Sequence, residues 1–389
     1  MNKSVDIFSP LIFFPILYIS INLIIAGGEV TVFSSLCIIL FFISYYIGIL
    51  SIKLSMNKNL YQSLFIIQPI IIHYKFSRIK KNITFIISIL FLLLLIYAYK
   101  EISNKEDFRR GYNEYIIGGN KIILVYNFFL ILFYTYYSLE FFKKKVSLFK
   151  FLIISFILVF LQFLTGSRSN LALYGLIPLL IGYYKKIINN KALLIIFCFG
   201  IIIFISTRIF TILNSSYLNY YTINNMIVEE NLRETFLNFL TTQINDIGYR
   251  THKILNDVPQ KFPRLYGKSL FFEFYSLLPG RQINPAIDLN HRLFHSSTDD
   301  IQIPPTLVAE FYLDFGIIGI IIGGVAIGSI YTLIHLKFKL NPSFINFFNY
   351  LIFSYFLFLS IYGRFQIFFI IWFMIFNLLF YKITIKKIK

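Results

Sequence analysis

Two acidic residues, Glu310 and Asp314, lie in Pro304-Pro305-Thr306-Leu307-Val308-Ala309-Glu310-Phe311-Tyr312-Leu313-Asp314-Phe315-Gly316, where a polar stretch gives way to a long apolar run. They are one helical turn apart and would share a face. Two like charges at an apolar boundary need a cation or a proton, and such an environment moves a carboxyl toward the range of a general base. Pairing with arginines on the same side is the alternative. Upstream, His291, His295, Asp299 and Asp300 cluster without any recognised metal-ligand spacing. His295 is therefore a second candidate base, and no metal or other cofactor is expected.

A second set of residues has the chemistry of anion binding. The chain is rich in Lys, Ile, Asn, Phe and Tyr, so lysine is its default cation and each arginine stands out. A planar guanidinium meets phosphate oxygens with paired donors and stays charged when partly desolvated, which suits a phosphate or diphosphate. Arg168 lies in Thr165-Gly166-Ser167-Arg168-Ser169-Asn170 and Arg364 in Tyr362-Gly363-Arg364-Phe365-Gln366, both short turns between apolar runs. Helix ends hold such turns, and small residues let a ligand approach the backbone. Arg281, just after Pro279-Gly280, and Arg250 extend the set. Snorkelling at a helix end is the competing explanation for Arg168 and Arg364.

The elements that must position these groups are membrane helices. The 389-residue chain is 57% hydrophobic and only 14% charged, against roughly a quarter charged in soluble domains. Apolar runs of spanning length cover 9–27, 30–52, 83–99, 121–142, 146–164, 171–184, 192–209, 306–336, 343–360 and 365–381. They predict an all-α polytopic integral membrane protein with about ten transmembrane helices and no room for a soluble catalytic domain. The stretch 60–74 holds Gln62, Gln68 and Pro69 and reads as interfacial, with an eleventh span as the alternative.

Lysines set the orientation. Lys53, Lys58, Lys75, Lys80, Lys81, Lys143 to Lys145, Lys185, Lys186, Lys191, Lys337, Lys339 and the Lys-rich end fall in alternate gaps, which places both termini in the cytoplasm. Of the acids, only Asp6 and Glu140 share that side, and of the arginines only Arg78. The net charge of +18 is thus a topological signal reinforced by attraction to anionic lipid, and it implies no nucleic-acid partner.

The chain then reads as residues 1–209 with helices one to seven, one large outer loop over 210–305, and residues 306–389 with helices eight to ten. In the loop, Phe236, Leu240, Ile244 and Ile247 recur at helical spacing and describe an amphipathic helix on the membrane surface. A second apolar segment, 269–278, stops at Pro279-Gly280. The run from 306 exceeds what a bilayer needs, so its first turns are expected to project outward. Cys37 and Cys198 both sit in apolar runs and suggest no disulfide or thiolate site. No span carries an acid at mid-depth, which argues against a proton-coupled transporter.

In the order of these features the chain resembles the O-antigen polymerase (Wzy) family, the oligosaccharide repeat unit polymerases of bacterial surface polysaccharide synthesis. The resemblance is carried by the spans, the Gly166-Ser167-Arg168-Ser169 turn, Tyr266-Gly267-Lys268-Ser269 and Leu278-Pro279 in the loop, the entry from Pro305-Thr306 to Gly319, and Arg364. It implies a glycosyltransferase of the bacterial inner membrane, with a periplasmic active site and no nucleotide sugar. Undecaprenyl-diphosphate-linked oligosaccharides would be both donor and acceptor, with membrane lipid and a chain-length regulator protein as further partners. Arg168, Arg364, Arg281 and Arg250 would then hold the diphosphate, while Glu310, backed by Asp314 and His295, deprotonates the acceptor hydroxyl. The related O-antigen ligases, which transfer finished polymer to lipid A-core, have a histidine near the outer entry of the corresponding helix, where this chain reads Pro304-Pro305-Thr306. A ligase is the alternative enzyme. A lipid-linked oligosaccharide flippase is the alternative from another class, and it would line a central cavity with cations at membrane depth.

Overall fold

The computed structural model describes residues 6–20, 22, 30–55, 72, 122–164, 168–189, 191–192, 248–272, 305–361 and 367–384. Among them no strand forms. The helices are α1 (Phe13–Ile19), α2 (Val32–Leu54), α3 (Ile122–Phe142), α4 (Leu148–Leu164), α5 (Arg168–Tyr184), α6 (Leu307–Leu340), α7 (Phe344–Leu359) and α8 (Ile367–Thr384). A further helical run covers 248–257. The expected span 83–99, nearly all of 192–209, and 60–74 apart from Ile72 lie outside the described residues, as does the amphipathic helix around Phe236.

Two of these helices, α2 and α6, are long and apolar enough to cross a membrane. Their surfaces fit that environment. Along α2, Val32, Leu36, Ile39, Ile43, Ile47, Leu50 and Leu54 recur every third or fourth residue, and all are exposed. A water-facing helix carries charge on such a stripe, so hydrocarbon is the surrounding this face suits.

The chain divides into two compact units, residues 1–68 with 237–380 and residues 69–236 with 381–389. In the second unit α3, α4 and α5 pack through aromatic rings: Phe141 stacks on Phe151 at 4.1 Å, and Tyr134 meets Tyr174 edge-on at 5.4 Å. Helices α3 and α5 end alike, each with an aromatic pair followed by lysines. Lys144 (φ 60°) and Lys186 (φ 56°) take the left-handed conformation that closes a helix. The N–H of Lys145 then reaches the Glu140 carbonyl at 3.0 Å, and that of Ile187 the Gly182 carbonyl at 2.9 Å. Lysine is favourable at a helix C-terminus, and the Lys185 ammonium also donates to the Phe142 carbonyl at 3.2 Å.

In the first unit α2 packs closely on α6, and glycines make the closeness possible. A Cβ on Gly328 would stand 2.1 Å from the Tyr45 carbonyl oxygen, one on Gly324 2.6 Å from that of Phe41, and one on Gly48 2.3 Å from that of Val325. Such backbone contact supplies the attraction that membrane helices cannot draw from the hydrophobic effect. A capping box starts α2: Thr31 Oγ1 accepts the Ser34 N–H and Ser34 Oγ accepts the Thr31 N–H, both at 3.1 Å.

The segment before α1 folds onto this pair. Tyr45 and Tyr46 donate to the Pro10 and Leu11 carbonyls at 2.6 and 3.0 Å, while Tyr331 and Tyr350 both donate to the Phe8 carbonyl at 3.3 and 2.9 Å. Asp6 heads the segment, buried 2.6 Å from Lys339 Nζ and 3.3 Å from His335 Nε2. Burial alone would raise its carboxyl pKa, but the His335 bond and the Lys339 charge outweigh burial and hold it below the ordinary value.

A straight helix of the 34 residues of α6 would run ~51 Å, well past a ~30 Å hydrocarbon core. Instead α6 breaks at Gly316 (φ 66°, ψ −148°). Its first arm, 307–315, folds back on the second. A Cβ on Gly319 would lie 2.3 Å from the Phe311 carbonyl oxygen, and one on Gly323 2.6 Å from the Phe311 ring. Along a straight helix those positions would be ~12 and ~18 Å from Phe311. The first turns therefore do not project outward as the run length suggests: Gly316 supplies the left-handed turn, and Gly319 and Gly323 supply the space. The second arm, 317–340, is ~36 Å long, a spanning length.

Candidate functional site

The folded arm carries Glu310 and Asp314 inward, and both are fully buried. One Asp314 oxygen accepts the Ser269 N–H at 3.1 Å and the other the Leu270 N–H at 2.8 Å, while Glu310 Oε1 accepts the Ser269 hydroxyl at 3.0 Å. The backbone adds two bonds, from Leu265 and Tyr266 N–H to the Leu313 and Asp314 carbonyls at 3.0 and 3.1 Å. Those carbonyls belong to the last turn of the arm, where helical partners run out. The turn 265–270 is thus seated on the end of the arm by side chains and backbone together.

Glycine is needed twice here. Gly267 (φ 90°) follows Tyr266 (φ 48°) in the left-handed region, and a Cβ on it would approach the Phe315 ring to 3.2 Å. The Arg264 guanidinium covers the break itself, since a Cβ on Gly316 would stand 2.9 Å from its central carbon. In the fold, N–H and O–H donors of the 265–270 turn reach both carboxylates. The sequence gives no sign of those donors because Ser269 and Leu270 are far away along the chain.

Beside the start of the arm runs a buried chain of polar groups. The Tyr18 hydroxyl donates to Thr306 Oγ1 at 3.0 Å and accepts the Val308 N–H at 3.2 Å. Thr251 donates to Asn22 Oδ1 at 2.7 Å, so in its 2.8 Å contact with Thr306 the Thr306 hydroxyl is the donor. Asn22 Nδ2 donates back to the Tyr18 carbonyl at 3.2 Å, and the Asn22 carbonyl lies 2.8 Å from His252 Nε2. A carbonyl can only accept, so Nε2 carries the proton and Nδ1 accepts the Ser34 hydroxyl at 2.6 Å. Burial lowers the His252 pKa, partly offset by the Asn22 bond, which favours this neutral form. These bonds tie the 248–257 run to the end of α1 and the starts of α2 and α6, and Thr31 Oγ1 to Asn256 Oδ1 at 2.6 Å adds another link.

Of the other residues singled out by sequence, Arg250 is half-buried on the 248–257 run, immediately before Thr251. Arg168 is the first residue of α5. Its side chain, Arg281, Arg364, His291 and His295 lie outside the described residues. Among the described residues no group of three His, Cys, Asp or Glu is placed to hold a metal ion. The Thr251-His252 pair was not legible in the sequence, because the partners Asn22 and Ser34 are more than 200 residues away along the chain. No protein-family model matches the chain, and no curated protein or solved structure matches it either.

Proposed function

We propose that the chain is a glycosyltransferase of the bacterial inner membrane, crossing it about ten times, that polymerises undecaprenyl-diphosphate-linked oligosaccharide repeat units. The product is O-antigen or a similar surface polysaccharide, made at the periplasmic face. The observation that carries this reading is the seating of the 265–270 turn by Glu310 and Asp314. It fixes part of the long loop against a folded helix arm that continues into an apolar, membrane-length helix. A lipid-linked glycan carries its diphosphate at the membrane surface, where this reading puts the arm.

In the reaction the acceptor hydroxyl attacks the anomeric carbon of the donor. A new carbon–oxygen bond forms, the bond to the diphosphate breaks, and the hydroxyl proton passes to a base. Arg168, Arg250, Arg281 and Arg364 are assigned to the departing diphosphate, whose growing charge their guanidinium groups stabilise. Glu310 is assigned as the base. The Ser269 hydroxyl already donates to it at 3.0 Å, and an acceptor hydroxyl that displaces Ser269 would make the same bond in position for proton transfer. Asp314, with each oxygen on an N–H group, positions the turn. His295 is the rival base.

Deleting the gene should leave surface polysaccharide with a single repeat unit, and the plasmid-borne gene should restore long chains on a gel. Long chains in the deletion strain would refute the assignment. Accumulated lipid-linked polymer would instead identify transfer to lipid A-core, the ligase reaction.

A further inference from the structure

Around the break in α6 the surface changes character over a few residues. On the second arm Ile317, Ile318, Ile321 and Ile322 lie on one helical face, and all four are exposed, Ile318 at 67%. Near the break Phe315, Phe271 and Tyr266 are exposed as well, the last at 76%, and the Phe315 and Phe271 rings both flank Gly267. Two cations stand near the break. Arg264 lies over Gly316, Lys268 belongs to the turn closed by its own N–H to the Leu265 carbonyl at 3.1 Å, and both are exposed.

Their surroundings differ from those of the neighbouring cations. Lys253 and Lys261 are both paired with Asp257, at 3.6 and 3.0 Å. Arg264 and Lys268 have no acidic partner among the described residues. An exposed apolar face with aromatic rings and unmatched cations near its end suits a phospholipid, acyl chains on the face and phosphate at the cations.

We infer that the Gly316 break is a docking site for an anionic phospholipid, whose phosphate meets Arg264 and Lys268 and whose acyl chains lie along Ile318 and Ile322. The site is shaped by the fold. The left-handed Gly316 leaves the Arg264 guanidinium room to lie across the break, and Asp314 fixes the turn that carries Lys268. A lipid bound there braces the turn on the arm from the hydrocarbon side. The inference rests on the membrane-spanning part of the proposed function and not on its glycan chemistry, so the test contains no glycan.

Native mass spectrometry of the detergent-purified full-length protein, titrated with phosphatidylglycerol or with phosphatidylcholine of the same acyl chains, reads the site directly. Wild-type protein should retain phosphatidylglycerol in preference to phosphatidylcholine. Arg264→Gln with Lys268→Gln should weaken that retention roughly 30-fold, taking each cation near an anionic headgroup at its usual strength. Lys268→Gln alone should weaken it roughly 5-fold. Lys144→Gln with Lys186→Gln, on the turns that close α3 and α5, should leave it unchanged.

Equal retention of the two lipids would overturn the inference, as would a double variant that binds like wild type. Displacement of phosphatidylglycerol by inorganic phosphate at matched concentration would show that the cations serve a free anion, and would also overturn it. A protein that retains phosphatidylglycerol as described but does not polymerise glycan would leave this site standing and remove only the catalytic assignment.

Discussion

At the Gly316 end of α6, Asp314 accepts two backbone N–H groups and Glu310 a hydroxyl, whereas near the Lys339 end Asp6 faces an ammonium at 2.6 Å and an imidazole at 3.3 Å. All three carboxylates are buried. The difference lies in what each contact can do besides hold the chain. Asp6 matches its charge to Lys339 and fastens the N-terminal segment to α6. The hydroxyl on Glu310 is exchangeable for another hydroxyl, so that contact is compatible with chemistry. Two kinds of burial on one helix thus separate a latch from a candidate site.

A large effect is expected at the latch. Asp6→Ala leaves the Lys339 ammonium, 5% exposed, without its carboxylate, which should cost about 3–5 kcal/mol. Thermal unfolding of the detergent-purified protein measures it, and adding Lys339→Met should recover much of the loss. An unchanged melting temperature for Asp6→Ala would mean that the Asp6–Lys339 pair does not hold the N-terminal segment. The pH dependence has a definite sign. Because the Asp6 pKa is lowered in the fold, its contribution is complete above about pH 4 and disappears as pH falls through the folded value. Wild-type stability should therefore drop on acidification below about pH 4 more steeply than that of Asp6→Asn.

An effect of similar size is expected at the seated turn. Asp314→Ala strands the Ser269 and Leu270 N–H groups, at about 1–3 kcal/mol for each buried donor left unmet. Asp314→Asn keeps one acceptor oxygen and should cost less. Hydrogen exchange at those two amides reads the effect locally, and protection unchanged in Asp314→Ala would mean that the backbone bonds from Leu265 and Tyr266 hold the turn alone.

His252 gives a pH test of the buried polar chain beside the arm. Since burial lowers the His252 pKa, the unfolded state binds a proton first as pH falls below about 6.5. Stability of the 248–257 run should fall as pH drops below about 6.5, seen as faster hydrogen exchange there, with a weaker trend in His252→Gln. Identical trends in both proteins would mean that His252 is not the titrating group.

The smallest effect on stability belongs to Glu310→Gln, less than about 1 kcal/mol, because the amide oxygen can still accept the Ser269 hydroxyl. Its effect on activity should be the reverse, a loss of chain extension at normal protein level. Large destabilisation by this change would turn Glu310 into a second Asp6 and erase the contrast between the two ends.

The sequence carries the helical elements well, because each needs only a local apolar run. The runs 30–52, 121–142, 146–164 and 343–360 end within a few residues of α2, α3, α4 and α7. It also marks Glu310 and Asp314 as unusual, since acids at the edge of an apolar run carry a desolvation cost wherever they fold. Their partners were not legible. The donors from Ser269 and Leu270 arrive through tertiary contact, as do Asn22 and Ser34 on His252. The fold-back of α6 was not legible: the length of the run suggested a projection, and only the space beside Gly319 and Gly323 lets the arm fold back at Gly316.

Polymerase activity can be read by reconstituting the full-length protein in proteoliposomes with undecaprenyl-diphosphate-linked repeat units as the sole sugar source, and resolving the lipid-linked products by length. Wild-type protein should yield a ladder of polymers and Glu310→Gln only single repeats. Single repeats alone from properly folded wild-type protein would contradict the polymerase assignment, and an undiminished ladder from Glu310→Gln would move the base elsewhere, with His295→Ala as the variant to compare.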